Sequence, residues 1–193
     1  MQFYQELTIQ PGPEMPANFI LSKIYQTIHL AFVSHKDAED KVTYGVSFPE
    51  YSPEGDVIGL GRKIRIFAET EEQLEQLGLS NVLKRYTDYV RIKRIRPVPM
   101  HTSGYAIYSR YHTENSQAQK ARRYARRHGI DISEAGKLFP KDKKGYQYPY
   151  IQLRSASNKH PFRLYVRKET ANQPVNVGFS VYGLSNQSSV PEF

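Results

Sequence analysis

The sequence predicts an α+β fold in two parts, and three observations carry that reading. Over residues 1–97 the apolar positions alternate or recur at helical spacing in the order β-α-β-β-α-β. Pro97-Val98-Pro99 then interrupts the pattern. Beyond it, a helix dense in arginine lies among further strands. The first part has the ferredoxin-like order, which RNA-recognition (RRM-like) modules share with many unrelated proteins. The second part, residues 98–193, is expected to be an α/β domain built around the arginine-rich helix.

Each element has its own signal. Residues 3–10 alternate loosely as a strand, which Pro11-Gly12-Pro13 ends. After Pro16, the residues Ile20, Leu21, Ile24, Tyr25, Ile28, Ala31 and Phe32 predict a helix over 17–33. Strands follow at 42–48 and 63–69, separated by a loop containing Pro49, Pro53, Gly55 and Gly59. Thr70-Glu71-Glu72-Gln73 has the form of a capping box and opens a helix carrying Leu74 and Leu77. A helical stretch at 81–86 leads into a strand at 89–97. In the second part the expected order is a strand at 105–112, the basic helix at 116–128 and a short helix opened by Asp131-Ile132-Ser133-Glu134. A loop at Lys141-Asp142-Lys143-Lys144-Gly145 precedes strands at 150–155, 162–168 and 178–182.

The basic helix points to a polyanion. Residues 120–127 hold four arginines and one lysine. On a helical projection Lys120, Arg122, Arg123, Arg126 and Arg127 share an arc of about 160°, with Ala118, Ala121 and Ala125 opposite. One face is cationic and the other is small enough to pack closely. The net charge of +8 is also unevenly spread: residues 1–83 carry 6 Lys/Arg against 12 Asp/Glu, whereas residues 84–168 carry 21 against 5. An acidic half joined to a strongly basic half argues for localised polyanion binding. Tyr105, Tyr108, Tyr111, Tyr124, Tyr146 and Tyr148 are interleaved with the cations, a combination suited to base stacking beside phosphate contact. Nucleic acid is therefore the first partner to consider.

Other classes lose support. The chain has no cysteine, so disulfides and thiolate metal sites are excluded. No apolar run reaches the ~18 residues of a membrane span, and the first residues lack the pattern of a signal peptide. A cytoplasmic protein with no membrane partner is expected. No H-E-x-x-H motif and no carboxylate–histidine cluster at ligand spacing occurs, so neither a metal nor another cofactor is expected. GxxxxGK[ST] and GxSxG are also missing, which removes support for a P-loop nucleotidase or an α/β-type serine hydrolase.

RNA cleavage without a metal needs only a base for the 2′-hydroxyl and an in-line geometry, and histidine is the natural base or acid near neutral pH. His29 lies about 110° from the centre of the apolar stripe of its helix. At that edge packing can hold a side chain that still faces a ligand. An ordinary boundary histidine has the same periodicity. Leu153-Arg154-Ser155-Ala156-Ser157 ends a strand and places the Ser155 and Ser157 hydroxyls on one face, although serines at strand ends are commonly structural. Phe162 can stack on a base or simply fill a core.

These residues resemble a family. Pro11-Gly12-Pro13-Glu14-Met15-Pro16 followed by His29, then Gly45-Val46-Ser47-Phe48-Pro49, is similar to the repeat-processing CRISPR endoribonucleases of type I-F systems. So are Ser109-Arg110, the helix ending Arg126-Arg127-His128, Leu153-Arg154-Ser155 with Phe162-Arg163-Leu164, and Tyr182-Gly183-Leu184-Ser185. The resemblance spans nearly the whole chain. It implies a metal-independent endoribonuclease that binds the stem-loop of each CRISPR repeat, cuts at the 3′ base of the stem to leave a cyclic phosphate, and stays on the crRNA product. It also implies association with other Cas subunits of the type I-F interference complex.

By the same resemblance His29 acts on the attacking 2′-hydroxyl, Ser155 holds that ribose, and Tyr182 helps orient the histidine. Arg110 reads a guanine edge. Lys120, Arg122, Arg123, Arg126 and Arg127 belong to the helix that enters the stem's major groove, and Phe162 stacks beneath the terminal base pair. His112 stands where the family pattern has glutamine, and Ser157 lies in a loop one residue longer than that pattern. Both are carried as RNA-binding positions. Two other readings stay open on the residues alone: a non-catalytic RNA-binding subunit of a ribonucleoprotein, and a DNA-binding regulator.

Overall fold

A computed structural model describes residues 1–53, 59–111, 115–139, 148–155 and 158–193, with only the backbone of residues 115–119. The first part begins with β1 (Phe3–Ile9), α1 (Ala17–Ser34), β2 (Lys41–Val42), β3 (Gly45–Ser47) and β4 (Lys63–Ala68). It continues through α2 (Glu71–Leu77), α3 (Leu79–Val82), a 3-10 turn at Lys84–Tyr86, β5 (Val90–Ile92) and β6 (Arg96–Pro97). The strands form an antiparallel sheet in the order β3-β4-β1-β5, with β6 also pairing β1. β1 and β4, the first and third of these four strands in the chain, are central, and β3 and β5 flank them, which is the ferredoxin-like arrangement. The capping box is formed: Thr70 Oγ1 accepts from the Gln73 N–H at 3.3 Å, and Gln73 Oε1 accepts from the Thr70 N–H at 3.2 Å. Gly78, in the left-handed region at φ 59°, stops α2.

Two strands differ from expectation for tertiary reasons. The strand expected over 42–48 is split, because its halves pair with different partners. β2 joins β10 (Phe179–Ser180) from the far end of the chain, while β3 joins β4. Gly45 permits the divergence: a Cβ there would lie 2.6 Å from Val190 Cγ1 and 2.8 Å from Phe179 Cζ. The strand expected over 89–97 is broken by a bulge. Leu7 pairs Ile92 and Tyr4 pairs Arg96, so three residues on one side face two on the other.

The second part holds β7 (Gly104–Tyr111), α4 (Asn115–His128), α5 (Ile132–Leu138), β8 (Tyr150–Arg154), β9 (Pro161–Ala171), β10 and β11 (Val190–Glu192). Its sheet has the order β11-β7-β9-β8 and is antiparallel. β11 was not expected. Three residues with a proline in the middle give no period-2 signal, and proline is tolerated because this is an edge strand. β10 stops at Ser180, two residues short of the expected end, because the chain turns there. The lysine-rich loop expected at 141–145 lies outside the described residues.

α1 joins the two sheets. It packs against β1 on one side and β8 on the other. Its buried Ile24, Ile28 and Phe32 belong to one core cluster with Phe48, Tyr108, Leu153, Leu164 and Phe179. The arginine helix stands apart from that core. Ala121 and Ala125 pack with Ala135 of α5, bordered by Tyr124, Ile130 and Phe139, in a separate small cluster. Among the described residues, no helix is long and apolar enough to cross a membrane.

Candidate functional site

The site is built around His29. Periodicity places this residue at the edge of the apolar face, and the structure buries it there, 7% exposed. A turn from the other end of the chain covers it. Its Nδ1 lies 2.8 Å from the carbonyl oxygen of Val181. Its ring is stacked on Tyr182, with centroids 4.2 Å apart and planes 10° from parallel. One helical turn earlier, the Tyr25 hydroxyl donates to the Tyr182 carbonyl at 2.7 Å. Two side chains of α1 thus grip two successive carbonyls of the turn.

The geometry fixes the tautomer. A carbonyl can only accept, so Nδ1 carries the proton of the neutral ring and Nε2 carries the lone pair. Burial lowers the pKa of His29 from the ordinary histidine value, and the bond to the Val181 carbonyl opposes this in part. The neutral ring, with Nε2 as a proton acceptor, is the form favoured at neutral pH.

The candidates from the last two strands meet on this turn. Phe162, near the start of β9, lies edge-on to Tyr182 at 6.4 Å. The Arg110 guanidinium, from β7, sits 5.6 Å from the Phe162 ring centroid and 6.0 Å from that of Tyr182. Burial raises the pKa of the Tyr182 hydroxyl and the Arg110 charge opposes the rise, so the phenol stays protonated at neutral pH. His29, Tyr182, Phe162 and Arg110 therefore form one chain of contacts, drawn from α1, the final turn, β9 and β7.

Ser155 follows β8 directly. Its N–H donates to the His160 carbonyl, and its own carbonyl accepts from the Lys159 N–H, each at 3.0 Å. These bonds close the hairpin between β8 and β9. The preceding residue is tied to the histidine's helix: the Arg154 N–H donates to Gln26 Oε1 at 2.8 Å, and Gln26 lies three positions before His29 on α1. The site roles of Gln26, Tyr25 and Val181 lie outside any sequence pattern, although Tyr25 belongs to the apolar stripe of its helix. Gln26 and Tyr25 give no signal beyond helical position, and Val181 acts through its backbone, which no side-chain pattern reveals.

The arginine helix has the expected two faces. Lys120, Arg122, Arg123, Arg126 and Arg127 are exposed, and Ala121 and Ala125 are buried. The side chain of Ala118, and the whole of His112 and Ser157, lie outside what is described. The tyrosines behave differently from one another. Tyr108 is not available for base stacking, being 2% exposed with its hydroxyl bonded to the Phe48 carbonyl and Glu192. Tyr124 stacks on His128 within α4.

The chain is similar to known proteins over nearly its whole length. The family model described as CRISPR-associated protein (Cas_Csy4) matches residues 4–193. The chain belongs to the Cas_Csy4 family. It is 30% identical over 199 residues to the CRISPR-associated endonuclease Cas6/Csy4 of Pseudomonas aeruginosa (strain UCBPP-PA14), with all of both chains covered. It is 25% identical over 195 residues to a protein of the same name from Escherichia coli (strain UTI89 / UPEC), again with full coverage of both. Membership in the Cas_Csy4 family therefore spans both sheets, the His29 cluster and the arginine helix together.

Proposed function

We propose that this chain is a metal-independent endoribonuclease that binds CRISPR repeat stem-loops and cleaves pre-crRNA at the 3′ base of the hairpin. The relatives named as CRISPR-associated endonucleases support the reaction class. The observation that carries the mechanism is the pairing of His29 Nδ1 with the Val181 carbonyl. It turns a buried neutral imidazole into a base whose Nε2 has no protein partner among the described residues.

In this reading the 2′-oxygen of the last stem nucleotide attacks the adjacent phosphorus as Nε2 takes its proton. The bond to the departing 5′-oxygen breaks and that oxygen takes a proton from solvent, leaving a 2′,3′-cyclic phosphate on the hairpin and a 5′-hydroxyl on the released strand. The base contributes on the order of 10²- to 10⁴-fold. The rest comes from holding the 2′-oxygen in line with its leaving group. Ser155 holds the attacking ribose. Phe162 supports the terminal base pair, and Arg110, tethered above its ring, reaches a guanine edge.

The stem lies against α4. The major groove of A-form RNA is deep and narrow, but a short hairpin leaves its ends open. Exposed arginines on one face of a helix can bind phosphates there in bidentate fashion. The protein holds its product through these contacts and remains on the crRNA 3′ hairpin, where it joins other Cas subunits. Residues 1–97 supply the histidine and residues 98–193 the RNA-binding surface.

The test is incubation with a labelled repeat hairpin in EDTA. The expected product ends in a cyclic phosphate, and a 2′-deoxy substitution at the cut site blocks it. Tight hairpin binding with no cleavage would make the chain a non-catalytic RNA-binding subunit. Cleavage of the deoxy hairpin would rule out attack by the 2′-hydroxyl.

A further inference from the structure

We infer that the turn over residues 180–183 is a positioning element for the reaction, and that it selects Nε2 of His29 as the atom that accepts the 2′-hydroxyl proton. This deepens the endoribonuclease reading and rests on it. The Gly183 N–H donates to the Ser180 carbonyl at 2.7 Å, closing a four-residue turn whose central residues are Val181 and Tyr182. One central residue presents its carbonyl to Nδ1, and the other presents its ring to the imidazole face. A single turn therefore sets both the tautomer and the plane of the histidine.

The turn is over-determined, as a positioning element must be. Gly183 has φ +69°, and a Cβ there would lie 2.4 Å from Val46 Cγ2 and 2.9 Å from Phe32 Cε2. Only glycine fits that conformation in that space. The Gly183 carbonyl accepts from the Val46 N–H of β3 at 2.9 Å, which ties the turn to the first sheet. The Ser180 N–H and hydroxyl both donate to the Leu184 carbonyl at 2.8 Å. The Tyr25 hydroxyl holds the Tyr182 carbonyl from α1. Among the described residues, the titratable group against the ring is Tyr182 and the charged group beyond it is Arg110, while the Tyr25 hydroxyl on the same helix bonds the Tyr182 carbonyl.

Two measurements test this. In the full-length protein labelled with ¹⁵N-histidine, the His29 ring should show a protonated Nδ1 and a bare Nε2 at neutral pH. The opposite tautomer would overturn the inference even if every variant failed to fold. Gly183→Ala should bind a 2′-deoxy hairpin within about 2-fold of the wild type, yet cleave the ribo-hairpin at saturation at least about 10-fold more slowly. The acid limb of its pH profile should also move to lower pH, because the Val181 bond that raises the His29 pKa is weakened. A wild-type rate with an unmoved limb would overturn the inference. Failure of the wild type to cut any hairpin would instead sink the endoribonuclease reading, which the spectrum distinguishes from a wrong tautomer.

Discussion

The imidazole of His29 lies face to face with the phenol ring of Tyr182, 4.2 Å apart and 10° from parallel. The contact is made by the ring, not by the hydroxyl. Tyr182→Phe is therefore expected to cleave a repeat hairpin within a few-fold of the wild type. Tyr182→Ala, which leaves the imidazole free to tilt, should lose about 10-fold or more in single-turnover rate with hairpin affinity little changed. Equal losses in the two variants would place the function of Tyr182 in its hydroxyl.

The pH dependence follows from the environment of His29. Burial depresses its pKa below the ordinary value of 6.5, with the Val181 bond offsetting only part of that. A base must be neutral, so kcat/KM should rise with pH through the depressed pKa and be flat by neutral pH. Single-turnover cleavage from pH 4.5 to 8 on the free enzyme with limiting RNA reads this limb directly. A rise centred above pH 7 would contradict the base assignment.

The arginine face should govern affinity and not chemistry. Arg126→Ala or Arg122→Ala should weaken hairpin binding and reduce the salt slope by about 0.7–0.9 for each phosphate that is no longer neutralised. The cleavage rate at saturating protein should hardly change. Ala125→Leu, on the buried face, should act differently by wedging α4 from α5. It should lower affinity through misplacement of the helix, while the salt slope stays close to that of the wild type. Binding isotherms from 50 to 500 mM salt separate the two effects.

Stability has its own test in the first sheet. Glu6 is 5% exposed and accepts from Arg65 Nε at 2.8 Å and Lys93 Nζ at 2.6 Å. Burial by itself would raise its pKa, but the bonds and charges of Lys93 and Arg65 outweigh it and hold the carboxyl below the ordinary range. A depressed carboxylate stabilises the fold above its unfolded pKa, and that stability is lost as pH falls through the folded value. Glu6→Gln should cost about 1.5 kcal/mol by urea unfolding at pH 7, because it weakens two charge-assisted bonds while Arg65 keeps its bond to the Phe193 carbonyl. The difference from the wild type should shrink on acidification below pH 4.

Some of this was legible in the sequence for physical reasons. The capping box, the apolar stripe of α1 and the two faces of α4 are local patterns, decided by which side chains can share a helix face or satisfy a helix end. Helix α1 and the basic helix matched their expected bounds within one residue at each end. The splitting of β2 from β3 and the existence of β11 were not legible, because each depends on a partner over 80 residues away in the chain.

The same division runs through the site. The sequence alone determined the kinds of groups present: a histidine at the edge of a buried face, a strand-end serine, and five cations on one side of a helix. Tertiary structure alone decided which nitrogen of that histidine carries its proton. The decision lies in a backbone carbonyl 152 residues away, held by a turn that only glycine can close. A carbonyl has the same chemistry at every position, so its role arises only when folding brings it to a particular atom.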